Sequence, residues 1–128
     1  MIRMPFIVLF QAFSLGCGSV APPAEEEGLL FSFFRNNGED GLYLATTEDG
    51  LHWTALNGDR ALIVPSVGES KLMRDPSITR GPDGRFHMVW TTSWQGKTIG
   101  YAHSADLRNW SPQQAIPVME HEPEVSNC

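Results

Sequence analysis

The chain has 128 residues and a formal net charge of −6, with 41% hydrophobic and 19% charged residues. These values indicate one soluble globular domain and exclude a wholly disordered chain. The acidic balance leaves no basic surface to neutralise phosphates, so we expect no nucleic-acid partner. With only two cysteines, Cys17 and Cys128, a scaffold held by several disulfides is also excluded.

The first 17 residues are typical of a secretory signal peptide. The apolar run over residues 6–15 is too short to cross a bilayer and has the length of a signal-peptide core. Ser-Leu-Gly before Cys17 is similar to a bacterial lipobox, although Leu stands two residues before the cysteine and not three. We expect lipidation of Cys17, with cleavage after Ala21 or a buried N-terminal element as alternatives. The protein would then be exported to the bacterial periplasm or cell surface and touch the membrane only through its lipid anchor.

A linker is predicted over residues 18–28, which have the sequence GSVAPPAEEEG. Its two prolines stiffen the chain, and its three glutamates keep it solvated. Residues 29–128 are therefore expected to form the folded domain.

The folded part contains an internal repeat. Residues 29–53 align without a gap with residues 86–110, and both copies end in the pattern Ala-x-[Ser/Thr]-x-Asp-x-x-x-Trp. An Asp in such a turn accepts hydrogen bonds from the backbone N–H groups that follow it, and a Trp after the turn packs between layers. We therefore predict that Asp49 and Asp106 build turns and that the two tryptophans, Trp53 and Trp110, lie in the core.

Each copy of the repeat predicts two β-strands around a polar turn. The predicted strands are 29–34 and 42–46 in the first copy, and 86–92 and 99–103 in the second. Short strands in a repeat of this length predict an all-β fold of antiparallel sheets, a partial β-propeller, with a β-sandwich as the alternative. A blade takes roughly 40–50 residues, so the chain corresponds to about two blades. We expect a fragment; assembly with further copies of the chain is the alternative.

The motif with the most chemical content is Arg74-Asp75-Pro76-Ser77-Ile78. The proline is predicted to hold Asp75 out of the helical region and in extended backbone, with a strand continuing after it. The innermost strand of a propeller blade lines the central axis, which would direct the Asp75 carboxylate into a central pocket. Spacing alone favours the alternative, a strand-entry cap paired with Arg74.

Residues 71–119 resemble the first blade of glycoside hydrolase family 43. The matching motifs are Asp-Pro-Ser-Ile from Asp75, Asp-Gly-x-Phe-x-x-x-Trp ending at Trp90, and Ser-x-Asp-Leu-x-x-Trp ending at Trp110. Residues 29–53 resemble the N-terminal segment of arabinosidase-like members. The resemblance implies a five-bladed propeller that hydrolyses arabinose- or xylose-containing glycans, a plant-type carbohydrate partner, with inversion at the anomeric carbon.

The resemblance assigns the general base to Asp75. In inverting hydrolysis one carboxylate activates water while a protonated carboxyl, about 6.5–9.5 Å away, protonates the leaving oxygen. Arg74 would keep the base ionised if its guanidinium pointed inward. The family's two other acidic residues would follow Asn127, and the glutamates before it are expected to be solvated loop charges: Glu120, Glu122 and Glu124. We therefore expect this chain to hold one of three catalytic carboxylates and to be inactive alone.

Weaker candidates for a sugar subsite are Trp94, Trp90 and His103, since aromatic faces stack on sugar rings, and Arg74 is a further candidate for substrate binding. The alternation of Trp90 with its strand neighbours favours a core position, and His103 is favoured as structural. The four histidines lack metal-ligand spacing, so no metal site is predicted. The chemistry requires no cofactor. A structural calcium ion is compatible with the sequence, but nothing in this chain indicates one.

Two other functions remain open. The chain could be a non-catalytic glycan-binding or surface lipoprotein that retains blade packing. A fructan-directed propeller hydrolase also uses the Asp of an Arg-Asp-Pro motif, but its nucleophile belongs to an upstream Asn-Asp-Pro-Asn motif. That motif does not occur between Gly18 and Arg74, which counts against this reading.

Overall fold

The computed structural model describes residues 28–118 and 120–121. The predicted signal peptide, the predicted lipidation site Cys17, most of the predicted linker, and Glu122, Glu124 and Cys128 lie outside the described residues. Within them, all regular secondary structure is β-strand, arranged in two antiparallel sheets. This part of the chain contains no helix that could cross a membrane.

The first sheet contains the first copy of the repeat. Its three strands pair in sequence order and are β1 (Leu29–Phe33), β2 (Tyr43–Thr47) and β3 (Thr54–Ala55). The predicted strands 29–34 and 42–46 are confirmed to within one residue. Aromatic and β-branched side chains at alternating positions explain why these segments are extended.

The second sheet is a four-stranded meander. Its strands also pair in sequence order and are β4 (Arg74–Arg80), β5 (Phe86–Thr91), β6 (Thr98–Ser104) and β7 (Gln114–Pro117). Four antiparallel strands in this order have the organisation of a propeller blade, and the first sheet has three strands in the same order. The prediction of an all-β, partial propeller-like fold is confirmed.

The core lies between the two sheets. It is formed by Leu42 and Leu44 from the first sheet, by Met88, Trp90 and Ala102 from the second, and by Met73 in front of β4. The Trp90 ring lies directly on the backbone of Gly100, where an added Cβ would overlap the indole. A glycine is therefore needed at this position.

Both predicted Asp turns are present. Asp49 Oδ1 accepts hydrogen bonds from the backbone N–H groups of Leu51 and His52, both at 2.8 Å. Asp106 Oδ1 accepts equivalent bonds from Arg108 at 2.9 Å and Asn109 at 2.7 Å. These bonds confirm that the two carboxylates build turns.

The two tryptophans that follow these turns differ in their burial. Trp110 packs against the core, as predicted. The prediction for Trp53 is wrong, because its side chain is 44% exposed. Trp53 lies against Phe31, on the side of the first sheet that points away from the second sheet. No other described element covers that side.

Candidate functional site

Asp75 lies at the start of β4, where the two sheets adjoin. β1 and β4 are edge strands of their sheets, and they contact each other. The Ser32 hydroxyl of β1 donates a hydrogen bond of 2.7 Å to the carbonyl of Pro76. In the repeat β1 corresponds to β5 and not to β4, so this contact joins the edge strands of the two sheets, and the axial position of β4 stays a prediction.

The backbone of Asp75 is not extended, contrary to the prediction. Its φ is +48°, in the left-handed region, and the pairing of β4 with β5 shifts register between Arg74 and Ser77. Pro76 disfavours right-handed helical backbone at Asp75. The register shift in the pairing of β4 with β5 is accompanied by left-handed backbone at Asp75 instead of the extended backbone that we expected. This conformation is uncommon for a residue with a side chain. It turns the Asp75 side chain to solvent while Pro76 is buried.

The Asp75 carboxylate has no hydrogen-bond or ion-pair partner within residues 28–118 and 120–121. In the same ranges, seven other carboxylates accept hydrogen bonds from nearby groups: Glu39, Asp40, Asp49, Asp59, Glu69, Asp83 and Asp106. The strand-entry cap pairing Asp75 with Arg74 is therefore not formed. The oxygens of Asp75 are available to water or to a ligand.

The Arg74 guanidinium stacks on an indole instead. Its central carbon lies 3.5 Å from the centroid of the Trp94 ring and 5.7 Å from that of Phe34, which is a cation–π arrangement. The aliphatic stem passes close to Gly38, where an added Cβ would lie 2.8 Å from Arg74 Cγ. Arg74 therefore supports Trp94, and the inward-pointing guanidinium that would have kept Asp75 ionised is not formed.

Trp94 lies in the loop between β5 and β6 and is 58% exposed. Its indole N–H donates a hydrogen bond of 3.0 Å to the side-chain oxygen of Asn37. With Arg74 on one side and the hydrogen bond at its edge, the ring is held as an open platform. The structure thus brings two of the predicted site residues, Arg74 and Trp94, into contact, and Arg74 directly precedes Asp75 in the chain.

Glu69 is a site residue that the sequence analysis missed. Its carboxylate accepts hydrogen bonds from the Lys97 backbone N–H at 3.0 Å and the Thr98 hydroxyl at 2.7 Å. The bond from Thr98 is the main cause that lowers the pKa of Glu69 below its ordinary value. Glu69 thereby fixes the loop that carries Trp94. Its partners Thr92, Lys97 and Thr98 are 23, 28 and 29 residues away, so no local pattern marked it.

One comparison shows the family of this chain. The model of a family described as "probable glycosyl hydrolase domain", related to glycosyl hydrolase family 43, matches residues 25–127. The chain belongs to this family. No curated protein and no solved structure matches the chain. The family assignment supports a glycosyl hydrolase-like function with carbohydrate as the general class of substrate.

Two of the predicted subsite residues lie elsewhere in this glycosyl hydrolase domain. Trp90 is 2% exposed and belongs to the core, so its ring has no free face for a sugar. His103 lies on the opposite face of the second sheet, with its ring 6.2 Å from that of His87 and 6.3 Å from that of Tyr101. The subsite role is therefore wrong for Trp90, and His103 is not part of the group at Arg74 and Trp94.

The described part of the domain contains no cluster of three His, Cys, Asp or Glu residues suited to a metal ion. Most of its acidic side chains are tied to turns and loops, as Asp106 and Glu69 illustrate, and the carboxylates without such a bond are Asp75, Glu48 and Glu120. The chemistry that this arrangement can supply is therefore that of the open Asp75 carboxylate, whose neighbour in the chain, Arg74, supports an aromatic platform.

Proposed function

We propose that this domain is the N-terminal part of an inverting glycosidase that acts on arabinose- or xylose-containing plant-type glycans, with Asp75 as general base. The observation that carries the proposal is the exposed, unpartnered Asp75 carboxylate on the first strand of the four-stranded sheet. The family assignment supports carbohydrate chemistry in general. The finer assignments rest on the motif around Asp75.

In this proposal Asp75 takes a proton from the water that attacks the anomeric carbon. Inversion also requires a protonated carboxyl on the other side of the sugar, about 6.5–9.5 Å away. The other carboxylates near β4 and its loops are engaged in hydrogen bonds, as described for Glu69. We therefore propose that the acid lies outside the described residues and that residues 28–121 alone do not hydrolyse glycans.

Trp94 would bind a sugar ring next to the reacting bond. Sugar C–H groups pack on aromatic faces, and a ring held on two sides loses little freedom on binding. Arg74 holds the platform from behind, so its role in the proposal is positioning.

The test is turnover by the complete gene product on aryl arabinofuranosides and aryl xylosides. Asp75→Asn should lower kcat by about 10²- to 10⁴-fold with little change in substrate binding. Asn tolerates left-handed backbone, so the substitution preserves the local fold. The matched control is Asp83→Asn, which alters a turn carboxylate bonded to the Arg85 N–H and should stay within a few-fold of wild type. NMR of the first product should show the inverted anomer.

Full activity of Asp75→Asn, or a product with retained configuration, would contradict this mechanism. A wild-type protein with no turnover on any of these glycosides would contradict the enzymatic proposal altogether.

A second candidate function is non-catalytic glycan binding. It is favoured by the exposure of Trp94, 58%, because an open aromatic platform suffices for binding without chemistry. Titration with arabino- and xylo-oligosaccharides should then show binding that Trp94→Ala abolishes and Asp75→Asn does not. Absence of turnover in the wild type separates this function from the first.

We also propose that the protein is exported to the bacterial periplasm or cell surface and anchored through lipid on Cys17. The sequence of residues 1–17 supports this proposal. Cys17→Ser should move the protein from the membrane fraction to the soluble fraction of the producing cell. The control Cys128→Ser should leave the protein in the membrane fraction. Equal fractionation of the two variants would contradict lipidation at Cys17.

A further inference from the structure

The loop between β1 and β2, residues 34–42, lies against the segment that precedes β4. The Met73 N–H donates a hydrogen bond of 2.8 Å to the carbonyl of Gly38 in this loop. Gly38 is buried with a φ of +94°, and an added Cβ would lie 2.8 Å from the Met73 carbonyl oxygen. Such a close approach of two backbone segments requires a glycine. The loop of the first sheet is therefore fixed beside Arg74 and Trp94.

Asn37 is the residue of this loop that reaches the indole. In the aligned segments it occupies the position that corresponds to Trp94, 57 residues later, so equivalent loops of the two copies meet here. Its side-chain oxygen accepts the 3.0 Å hydrogen bond from the Trp94 N–H. An indole N–H can only donate, so the amide oxygen must face the ring and the amide NH₂ must face away from it.

Glu39 binds the other end of the Asn37 amide. Its Oε1 accepts a hydrogen bond of 3.2 Å from Asn37 Nδ2, and its Oε2 accepts one of 3.1 Å from the Asn37 backbone N–H. The bond from its own backbone N–H is the main cause that lowers the pKa of Glu39, and the Asn37 side chain adds to it. The ionised carboxylate can only accept, so it selects the same orientation of the amide as the indole does.

We propose that Asn37 and Glu39 are positioning residues of the substrate site, which hold the Trp94 indole in the orientation that binds a sugar ring. This inference rests on the proposed role of Trp94 as a sugar platform. Because Asn37 occupies the indole N–H, Trp94 offers the sugar an aromatic face and not a hydrogen-bond donor. A ring that is already held loses less conformational freedom when the sugar binds. The substrate site thus includes the β1–β2 loop of the first sheet.

The test is the affinity of the complete gene product for arabino- and xylo-oligosaccharides, measured by calorimetric titration beside the NMR resonance of the Trp94 indole N–H. Trp94→Phe identifies that resonance by its loss. Asn37→Ala should weaken binding about 3- to 10-fold. It should also shift the indole resonance and speed the exchange of its proton with water. In turnover the same loss should appear in KM, with kcat within about twofold of the wild type.

Two neighbouring carboxylates of the loop provide a matched comparison. Glu39→Gln weakens the hydrogen-bond chain that ends at Trp94 and should weaken binding about 2- to 3-fold. Asp40→Asn changes a carboxylate that accepts a 2.6 Å hydrogen bond from Asn36, outside that chain, and should bind like the wild type.

A reciprocal exchange tests the direction of the hydrogen bonds. Asn37→Asp keeps an acceptor for the indole but sets a second carboxylate against Glu39, so it should bind more weakly. The double variant Asn37→Asp, Glu39→Gln restores one donor and one acceptor between the two side chains, and should recover most of the affinity. Urea unfolding midpoints close to that of the wild type confirm that each variant folds.

Wild-type affinity in Asn37→Ala, when Trp94→Ala binds weakly, overturns this inference alone. A loss of affinity in Asn37→Ala without any change in the Trp94 resonance also overturns it. Equal losses in Glu39→Gln and Asp40→Asn do the same, because the charge of the loop then accounts for them. A Trp94→Ala variant that binds like the wild type, or a wild type that binds neither class of oligosaccharide, overturns the platform of the proposed function and this inference with it.

Discussion

Asp49 and Asp106 occupy equivalent positions in the two copies of the repeat, and each accepts hydrogen bonds from the two backbone N–H groups that close its turn. The tryptophans four residues later differ. Trp110 packs against the core, whereas Trp53 is 44% exposed. Turn chemistry is decided within a few residues of the chain, while the burial of an aromatic side chain depends on what another segment places over it.

The same difference holds at the centre of the two sheets. Phe33 and Trp90 are equivalent in the repeat, but only Trp90 is enclosed between the sheets. The second copy thus has the packed interior of a blade, and the first copy supplies the layer that encloses it.

The largest expected effect is a difference in the free energy of unfolding between variants at Trp90 and at Phe33. Trp90→Ala should lower the free energy of unfolding by about 3–5 kcal/mol, because it leaves a cavity in the core. Phe33→Ala should cost less than half as much, because its ring is only partly buried. Urea unfolding followed by far-UV circular dichroism measures both, and Trp90→Phe serves as the variant that retains the fold. Equal losses at the two positions would show that the copies are packed alike.

The two turns should contribute equally to the pH dependence of stability. The backbone hydrogen bond from Asn109 is the main cause that holds the pKa of Asp106 well below its ordinary value. The His52 side chain does the same for the pKa of Asp49. Both shifts favour the ionised carboxylate in the fold, so their contribution is present above the unfolded pKa near 4 and is lost as pH falls below it.

We therefore expect the urea midpoint to fall between about pH 5 and about pH 2. Asp106→Asn and Asp49→Asn should each flatten this dependence by a similar amount and lower the midpoint at neutral pH. A dependence that vanishes in only one of these variants would show that the turns are not equivalent.

The smallest expected effect concerns the loop that carries the Trp94 ring, which belongs to the second copy of the repeat. Glu69→Gln removes the charge from the hydrogen bonds to Lys97 and Thr98, and should cost under about 1 kcal/mol of stability. It should raise the accessibility of Trp94 to acrylamide, measured as the difference in quenching with and without Trp94→Phe. Glu48→Gln, at an exposed turn residue, is the control. Equal quenching in both glutamine variants would contradict the positioning role of Glu69.

The strands and turns could be predicted because alternating apolar residues and the two Asp turns are local patterns. The backbone of Asp75 could not, since its left-handed φ arises from a register shift against β5. The direction of Arg74 depends on Trp94, which lies 20 residues further along the chain and contacts it only in the fold. For Trp53 the local pattern predicts a core position, but burial requires another element to cover the ring. No described element does so, and the side chain is 44% exposed.

Two hydrogen bonds from the first copy of the repeat lie on either side of Asp75. Ser32 donates to the carbonyl of Pro76 at 2.7 Å, and the Met73 N–H donates to the carbonyl of Gly38 at 2.8 Å. Any shift of the first sheet would therefore redirect the Asp75 carboxylate. The first copy of the repeat thus contributes to the support of Asp75, although Asp75 itself lies outside both copies.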